Sequence, residues 1–479
     1  MIAEPMGRVP FDLLLASLPN EWPERGLADA IERQVATART KVIVLDDDPT
    51  GTQTVHDVLV VTDWSEATLL SALQRDETAV FVLTNSRSVP LSQAQAMNRQ
   101  IARNLSAAAR RLGCEIEVIS RSDSTMRGHF PGEVDALRDE LELGLGLRYD
   151  GYIIIPSLLE AGRYTVNNVH WVKDGDWAVP AGETQFARDA SFGYRSSDLR
   201  NWVAEKTNGA VSAEAVVPVT HADIREGGPQ QVARVLANVK NRGVAIVNIA
   251  SYQDMAVFVA GLLQAEAQGK RYVLRSAASF VRVRGGVSQQ PLLTAGRLYG
   301  KAAPPGGGLI VAGSYVQKST EQLNTLLALP GVAAVELHVQ RVLQQATRSA
   351  EIGRVCEQMN RLLPQQDVVV MTGRELVTGA GTDESLQIGS AVSSALVAVV
   401  RGLTASPRFI VAKGGITSSD VATKGLDIKQ ALVLGQIAPA VPVWRPAAGS
   451  RFPGVPYVVF PGNVGDADTL AEVVLALRT

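Results

Sequence analysis

Cysteine is scarce in this chain. Cys114 and Cys356 stand far apart and in no C-x-x-C arrangement, which argues against a disulfide scaffold or thiolate zinc site and fits a reducing compartment. The five histidines, His56, His129, His170, His221 and His338, are scattered without an H-x-x-x-H pair, so a histidine zinc site is not expected either. His129 follows an arginine-rich loop, and a ligand contact and a structural hydrogen bond both stay open for it. Charge of one sign is also lacking: 46 Lys and Arg face 48 Asp and Glu. That balance argues against a nucleic-acid partner but allows a local basic pocket. No apolar run is long enough to span a bilayer, so no membrane partner is expected. The opening "MIAEPMGRVPFDLLLASLPNEWPERG" lacks the basic start and long apolar core of a signal peptide, and a cytoplasmic location is the expectation.

What is present suggests two or three domains in 479 residues. Residues 11 to 38 read as helical, with Phe11, Leu14, Leu15 and Leu18 on one face, and residues 1–40 as a helical extension without chemistry. From residue 41 short apolar runs alternate with helical patterns. Strands are predicted at 41–45, 58–62, 79–84, 115–120, 152–156 and 243–249. A helix is predicted over 92–112, capped by Ser92 and stopped by Gly113. Residues 160–215 are polar and rich in Trp and Tyr; a binding loop and a plain surface insertion are both open. The stretch "RLYGKAAPPGGGLIVAG" reads as a linker. The expected fold is α/β, with domains over 41–300 and 305–479, each built on a mainly parallel sheet with flanking helices.

After the linker, an apolar strand, a Gly-containing loop and a polar helix start recur three times: "LIVAGSYVQKSTEQL", "FIVAKGGITSSDVATKGL" and "YVVFPGNVGDADTLAEV". Ligands of open parallel sheets sit off the carboxyl ends of strands, where glycines let backbone N–H groups approach phosphate oxygens. Three such loops point to a nucleotide-phosphate site, and none is a standard P-loop.

The most distinctive stretch is "KVIVLDDDPTGTQ", three aspartates at the end of an apolar run. Asp46, Asp48 and Thr50 satisfy the D-x-D-x-T of haloacid dehalogenase-type phosphatases, with Asp466 and Asp468 as the distant acidic pair. That pair lies beyond the linker and at a helix start, where acids serve as caps. The alternative is a small-molecule kinase, in which a carboxylate after the first strand accepts a substrate proton. It requires nearby cations, and Arg87 in "VLTNSRSVP" with Arg121 and Arg127 in "ISRSDSTMRGHFPGE" offer them. A binding-only protein would need neither base nor nucleotide loops.

"DDPTG", "TNSR" and "RSDSTMRG", then "VAGS", "KGGITSSD" and "PGNVG" in that order, resemble the four-carbon acid sugar kinase family, ATP-dependent kinases of threonate, erythronate and 3-oxo-tetronate type compounds. The resemblance covers nearly the whole chain from residue 41. It implies Asp47 and Asp48 as the catalytic pair and Arg87, Arg121, Ser122, Asp123, Ser124 and Arg127 around the substrate. It implies Ser314, Gly414, Gly415, Thr417, Gly462, Asn463 and Gly465 around ATP, with Mg²⁺ on the phosphates and no separate metal site. Asp46 becomes the odd residue out, solvated or hydrogen-bonded at the strand end. Two departures stand out: Asp46 replaces a small or apolar residue, and Ile416 replaces the acid of G-G-[DE]-T. They suggest a divergent branch whose substrate could be larger or branched, such as a 3-oxo-isoapionate-like acid. Closure of two domains would then exclude water. A homodimer is left open.

Overall fold

The computed structural model describes residues 7–38, 40–48, 50–300, 302–313, 317–373, 382–462 and 464–478. The chain forms two compact units. One holds the chain up to Gly51 with Trp64–Gln289; the other holds Thr52–Asp63 with the chain from Gln290 onward. The sequence gives no break at Thr52 or Asp63. The short excursion is explained by strand Val58–Val61, which pairs antiparallel with Gln430–Ala438 of the second unit.

The first unit contributes seven parallel strands in the order Val217–Val219, Gly243–Val247, Gly151–Ile155, Tyr272–Ser276, Ile116–Arg121, Lys41–Asp46 and Ala79–Leu83. The central ones are buried on both faces, as the unbroken "KVIVL" and "YIII" runs require. The helix Leu91–Leu112 packs Ala94, Ile101, Ala102, Leu105 and Ala109 inward at helical spacing and ends at Gly113 in the left-handed region (φ 63°). Its N-cap is Pro90, not Ser92; proline pre-sets the backbone there without a side-chain cap.

The N-terminal stretch is not one helix. Phe11–Ala16 and Leu27–Thr37 are separate, because Pro19, Pro23 and Gly26 interrupt the pattern. The polar excursion carries a small antiparallel sheet, Arg163–Val166, Val169–Asp174 and Trp177–Pro180, with Val9–Pro10 added at its edge. Phe11 completes it by packing with Val166, Val169, Trp171 and Ala178.

In the second unit five parallel strands follow the order Tyr457–Phe460, Ile410–Lys413, Leu309–Ala312, Asp367–Thr372 and Val332–Leu337. An antiparallel set, Val441–Pro446, Gln430–Ala438 and Val58–Val61, extends it past Tyr457–Phe460. Both units are thus α/β. Among the described residues no helix is long and apolar enough to cross a membrane, and Cys114 and Cys356 are free thiols.

Candidate active site

Ile116–Arg121, Lys41–Asp46 and Ala79–Leu83 are neighbouring parallel strands, and their register sets Asp46 beside both Arg121 and Leu83. Everything that leaves their carboxyl ends is therefore brought together. This gathers Asp47, Asp48, Arg87, Arg121, Ser122, Asp123, Ser124 and Arg127 in one cluster of the first unit.

The three aspartates have different surroundings. Asp46 is 2% exposed and accepts from Arg121 Nη1 at 3.0 Å, so it is paired and dry rather than solvated. Burial pushes its carboxyl up to about 7 despite that arginine. The glycine of "DDPTG" explains itself here, since a Cβ on Gly51 would fall 1.6 Å from Asp46 Oδ2. Asp48 is fully committed: it is paired with Arg87 and accepts from Thr50 N at 2.8 Å and Thr50 Oγ1 at 2.6 Å. Burial alone would raise its carboxyl, but Arg87, Arg121 and the Thr50 contacts outweigh it and hold it below the usual aspartate value.

Asp47 is the exception. It is 4% exposed; Ser122 Oγ donates to its Oδ2 at 3.2 Å and Arg121 stands 3.8 Å from Oδ1. That Oδ1 is buried and accepts no hydrogen bond among the described residues. Burial raises the Asp47 carboxyl, with Arg87 and Arg121 only partly opposing. A buried carboxylate oxygen without a donor is costly unless a ligand supplies one.

The arginines are less free than the sequence suggests. Arg87, on the short turn Ser86–Ser88, bridges Asp48 and Asp123, the latter at 2.9 Å. Arg127 Nε meets Asp123 at 2.9 Å and its Nη1 meets Asp189 at 3.4 Å. Burial would raise Asp123, but these two arginines hold it well below the ordinary aspartate value. Ser124 acts through its carbonyl, 2.7 Å from His170 Nε2. His129 makes a structural contact, Nε2 to Val89 O at 2.8 Å.

Sequence reasoning missed Arg275, whose strand was itself overlooked. It is buried, donates to Arg127 O at 2.9 Å and lies over Phe130 and Trp202. The point where a Cβ of Gly128 would stand is 3.1 Å from Ser122 Oγ, 3.5 Å from Asp47 Oδ2 and 3.7 Å from Arg275 Nη2. The signal was a charged residue inside the apolar run "YVLRS".

In the second unit the three Gly-containing loops leave adjacent parallel strands. A Cβ on Gly313 would stand 3.1 Å from Thr417 Oγ1, and one on Gly462 would stand 3.9 Å from Gly414 Cα. Gly414 has φ 102°, a conformation side-chain-bearing residues rarely adopt, and Gly415 opens the short helix Gly415–Asp420 behind it. Ser418 Oγ donates to Ala412 O at 2.7 Å, and Tyr457 OH donates to Ser418 O at 2.6 Å, anchoring the loop from below. Gly465 precedes a tight cap in which Asp466 N donates to Thr469 Oγ1 at 2.9 Å; Asp466 is thus a helix cap. Ser314 and Asn463 lie outside the described residues. Ile416 is 65% exposed where the family pattern has an acid.

Lys413 was also missed, although "FIVAKGG" displays it. It is 0% exposed, its Nζ reaches Pro461 O at 3.4 Å and lies 4.4 Å over the Phe460 ring. Burial, and then Lys318, pull its ammonium down to about 8. Among the described residues no group of three or more His, Cys, Asp or Glu is arranged to hold a metal ion. Asp46, Asp48 and Asp123 of the first unit are paired with arginines.

Residues 42–284 match the model of a sugar-binding N-terminal domain, and residues 309–470 match that of a nucleotide-binding C-terminal domain. Together they account for most of the chain. It belongs to the four-carbon acid sugar kinase family. A 3-oxo-tetronate kinase of Methylobacterium radiotolerans is 27% identical over 400 residues, covering 81% of this chain and 87% of that protein. Two solved structures share the family fold. A Salmonella typhimurium LT2 protein has a TM-score of 0.66 at 16% identity, over 92% of this chain and 99% of its own. A Haemophilus influenzae protein has a TM-score of 0.62 at 17% identity, over 91% and 100%.

Proposed function

We propose that this member of the family transfers the γ-phosphoryl group of ATP to a hydroxyl of a small sugar acid, with Asp47 as general base. The observation that carries this is the buried Asp47 Oδ1 without a donor, in a carboxyl raised by burial, where a substrate O–H would be the missing donor. A base whose proton affinity is lifted toward the working pH takes up a hydroxyl proton more effectively than an ordinary aspartate. Asp48 then serves by fixing Arg87, and Arg121 and Ser122 fix Asp47 itself.

The Gly313, Gly414 and Gly462 loops suit nucleotide phosphates, and Lys413 adds a cation beneath them. Mg²⁺ arrives on the ATP phosphates, which it neutralises when bound; no step here depends on a protein carboxylate holding it. Phosphatase chemistry at Asp46 is disfavoured, because that residue is buried against Arg121 rather than presented to a substrate.

The substrate class follows the relative's 3-oxo-tetronate, with threonate, erythronate and branched acids of the 3-oxo-isoapionate type as the neighbouring candidates. A coupled ADP-release screen over these acids tests the reading, with sugar phosphates without ATP as the parallel arm. Acid-dependent ADP release is expected. Phosphate release from the sugar phosphates, with no ADP release from any acid, would overturn it.

A further inference from the structure

Arg87 and Arg127 each neutralise carboxylates of the protein, and Arg121 is held by Asp46 and Asp47. If these were the receptors for a substrate carboxylate, each would have to give up a partner. Arg163 is different. Among the described residues it has no ion-pair partner, and its buried Nε–H donates to no oxygen. Its guanidinium lies 5.4 Å from the centroid of the Phe186 ring, the same distance at which Arg127 lies from that ring.

The position of Arg163 is fixed by backbone. Its N–H donates to Leu158 O at 2.9 Å, its carbonyl accepts from Leu158 N at 3.2 Å, and it pairs with Val172 in the small antiparallel sheet. Two residues on, Thr165 pairs with His170, whose Nδ1 is 3.0 Å from Thr165 Oγ1 and whose Nε2 reaches Ser124 O. The sheet that presents Arg163 is therefore pinned to the loop that presents Ser122 and Asp123. Burial lowers the proton affinity of Arg163; Asp123 opposes this from a distance, and Arg127 adds repulsion. Two arginines face one aromatic ring, and among the described residues one of them, Arg163, has no carboxylate of its own, which leaves room for a ligand's.

We infer that Arg163 is the specificity residue that receives the carboxylate of the sugar acid, with Phe186 stacking its guanidinium and Arg127 flanking it. This rests on the kinase reading above and narrows it: the polar excursion is what restricts the substrate to acids. A planar fork gives two parallel N–H donors to a carboxylate, which lysine cannot reproduce.

The test compares threonate with its neutral primary amide in the wild type, Arg163→Gln and Arg163→Lys, by ADP release and by calorimetric binding. The wild type should prefer the acid. Arg163→Gln should raise the KM for threonate by about 100-fold, leave the KM for the amide within about threefold and change kcat little, so that the preference collapses. Arg163→Lys should fall between the two. Should threonate and amide weaken equally in Arg163→Gln, or the acid preference survive, Arg163 is structural and the inference falls while the kinase reading stands. A wild type that releases ADP with no acid of the screen above would overturn both.

Discussion

At the scale of single residues, three adjacent aspartates are separated by their partners rather than by their sequence. Asp46 is spent on Arg121, Asp48 on Arg87 and Thr50, and among the described residues Asp47 alone of the three keeps a fully buried carboxylate oxygen without a donor. D-D-x-T-G was readable as a motif, but which aspartate keeps a bare oxygen depends on arginines 39 and 74 residues downstream of Asp48 and Asp47, at Arg87 and Arg121, which no local pattern links to it. The chemistry predicts a pH profile. As the proposed base, Asp47 would have to lose its proton before it could accept one, so kcat/KM should fall on the acid side with an apparent value above an ordinary aspartate's. After burial, Arg87 is the strongest influence on that carboxyl and pulls it down. Arg87→Gln should therefore move the acid limb of its residual activity to higher pH, read from kcat/KM between pH 4 and 8. A limb that stays in place would assign the titration to another group, Asp46 first.

At the scale of elements, the strand Ile410–Lys413 ends in a lysine with no contact to water. The sequence showed the glycines after it but gave no reason to mark the lysine, because its burial involves neighbours distant in the chain, Phe460 and Pro461 among them. Its folded-state value, about 8, lies below the ordinary lysine value of 10.5. Below pH 8 it is charged in both states, and the full cost of burying that charge is present. Between about 8 and 10.5 the folded form has released a proton that the unfolded form keeps, so stability rises with pH across that window. Lys413→Met should then raise the melting temperature at pH 7 by roughly 1–3 °C and flatten the rise above pH 8, while lowering turnover and weakening nucleotide binding. Loss of stability together with activity would mean that the lysine only supports the fold. Other elements were hidden for similar reasons. Asp367–Thr372 and Tyr272–Ser276 are short apolar runs whose strand character comes from their neighbours, and the helical reading of residues 11–38 overlooked two prolines that divide it.

At the scale of the whole molecule, the α/β class and the gathering of three loops in each sheet were legible, since parallel strands buried on both faces leave unbroken apolar runs and place their loops at one end. The passage of Thr52–Asp63 into the second unit was not legible, because the antiparallel partner of Val58–Val61 lies some 370 residues downstream of it. The central claim is that Asp47, not Asp48, takes the substrate proton. It is tested most directly by single-turnover phosphoryl transfer in Asp47→Asn and Asp48→Asn, with binding of ATP and sugar acid measured in the same preparations. Asp47→Asn should bind both ligands within a few-fold of wild type yet transfer phosphate about 1,000-fold more slowly. Asp48→Asn should weaken acid binding through the loosened Arg87 and retain most of the transfer rate once saturated. Wild-type transfer in Asp47→Asn, with transfer abolished in Asp48→Asn, would contradict the account.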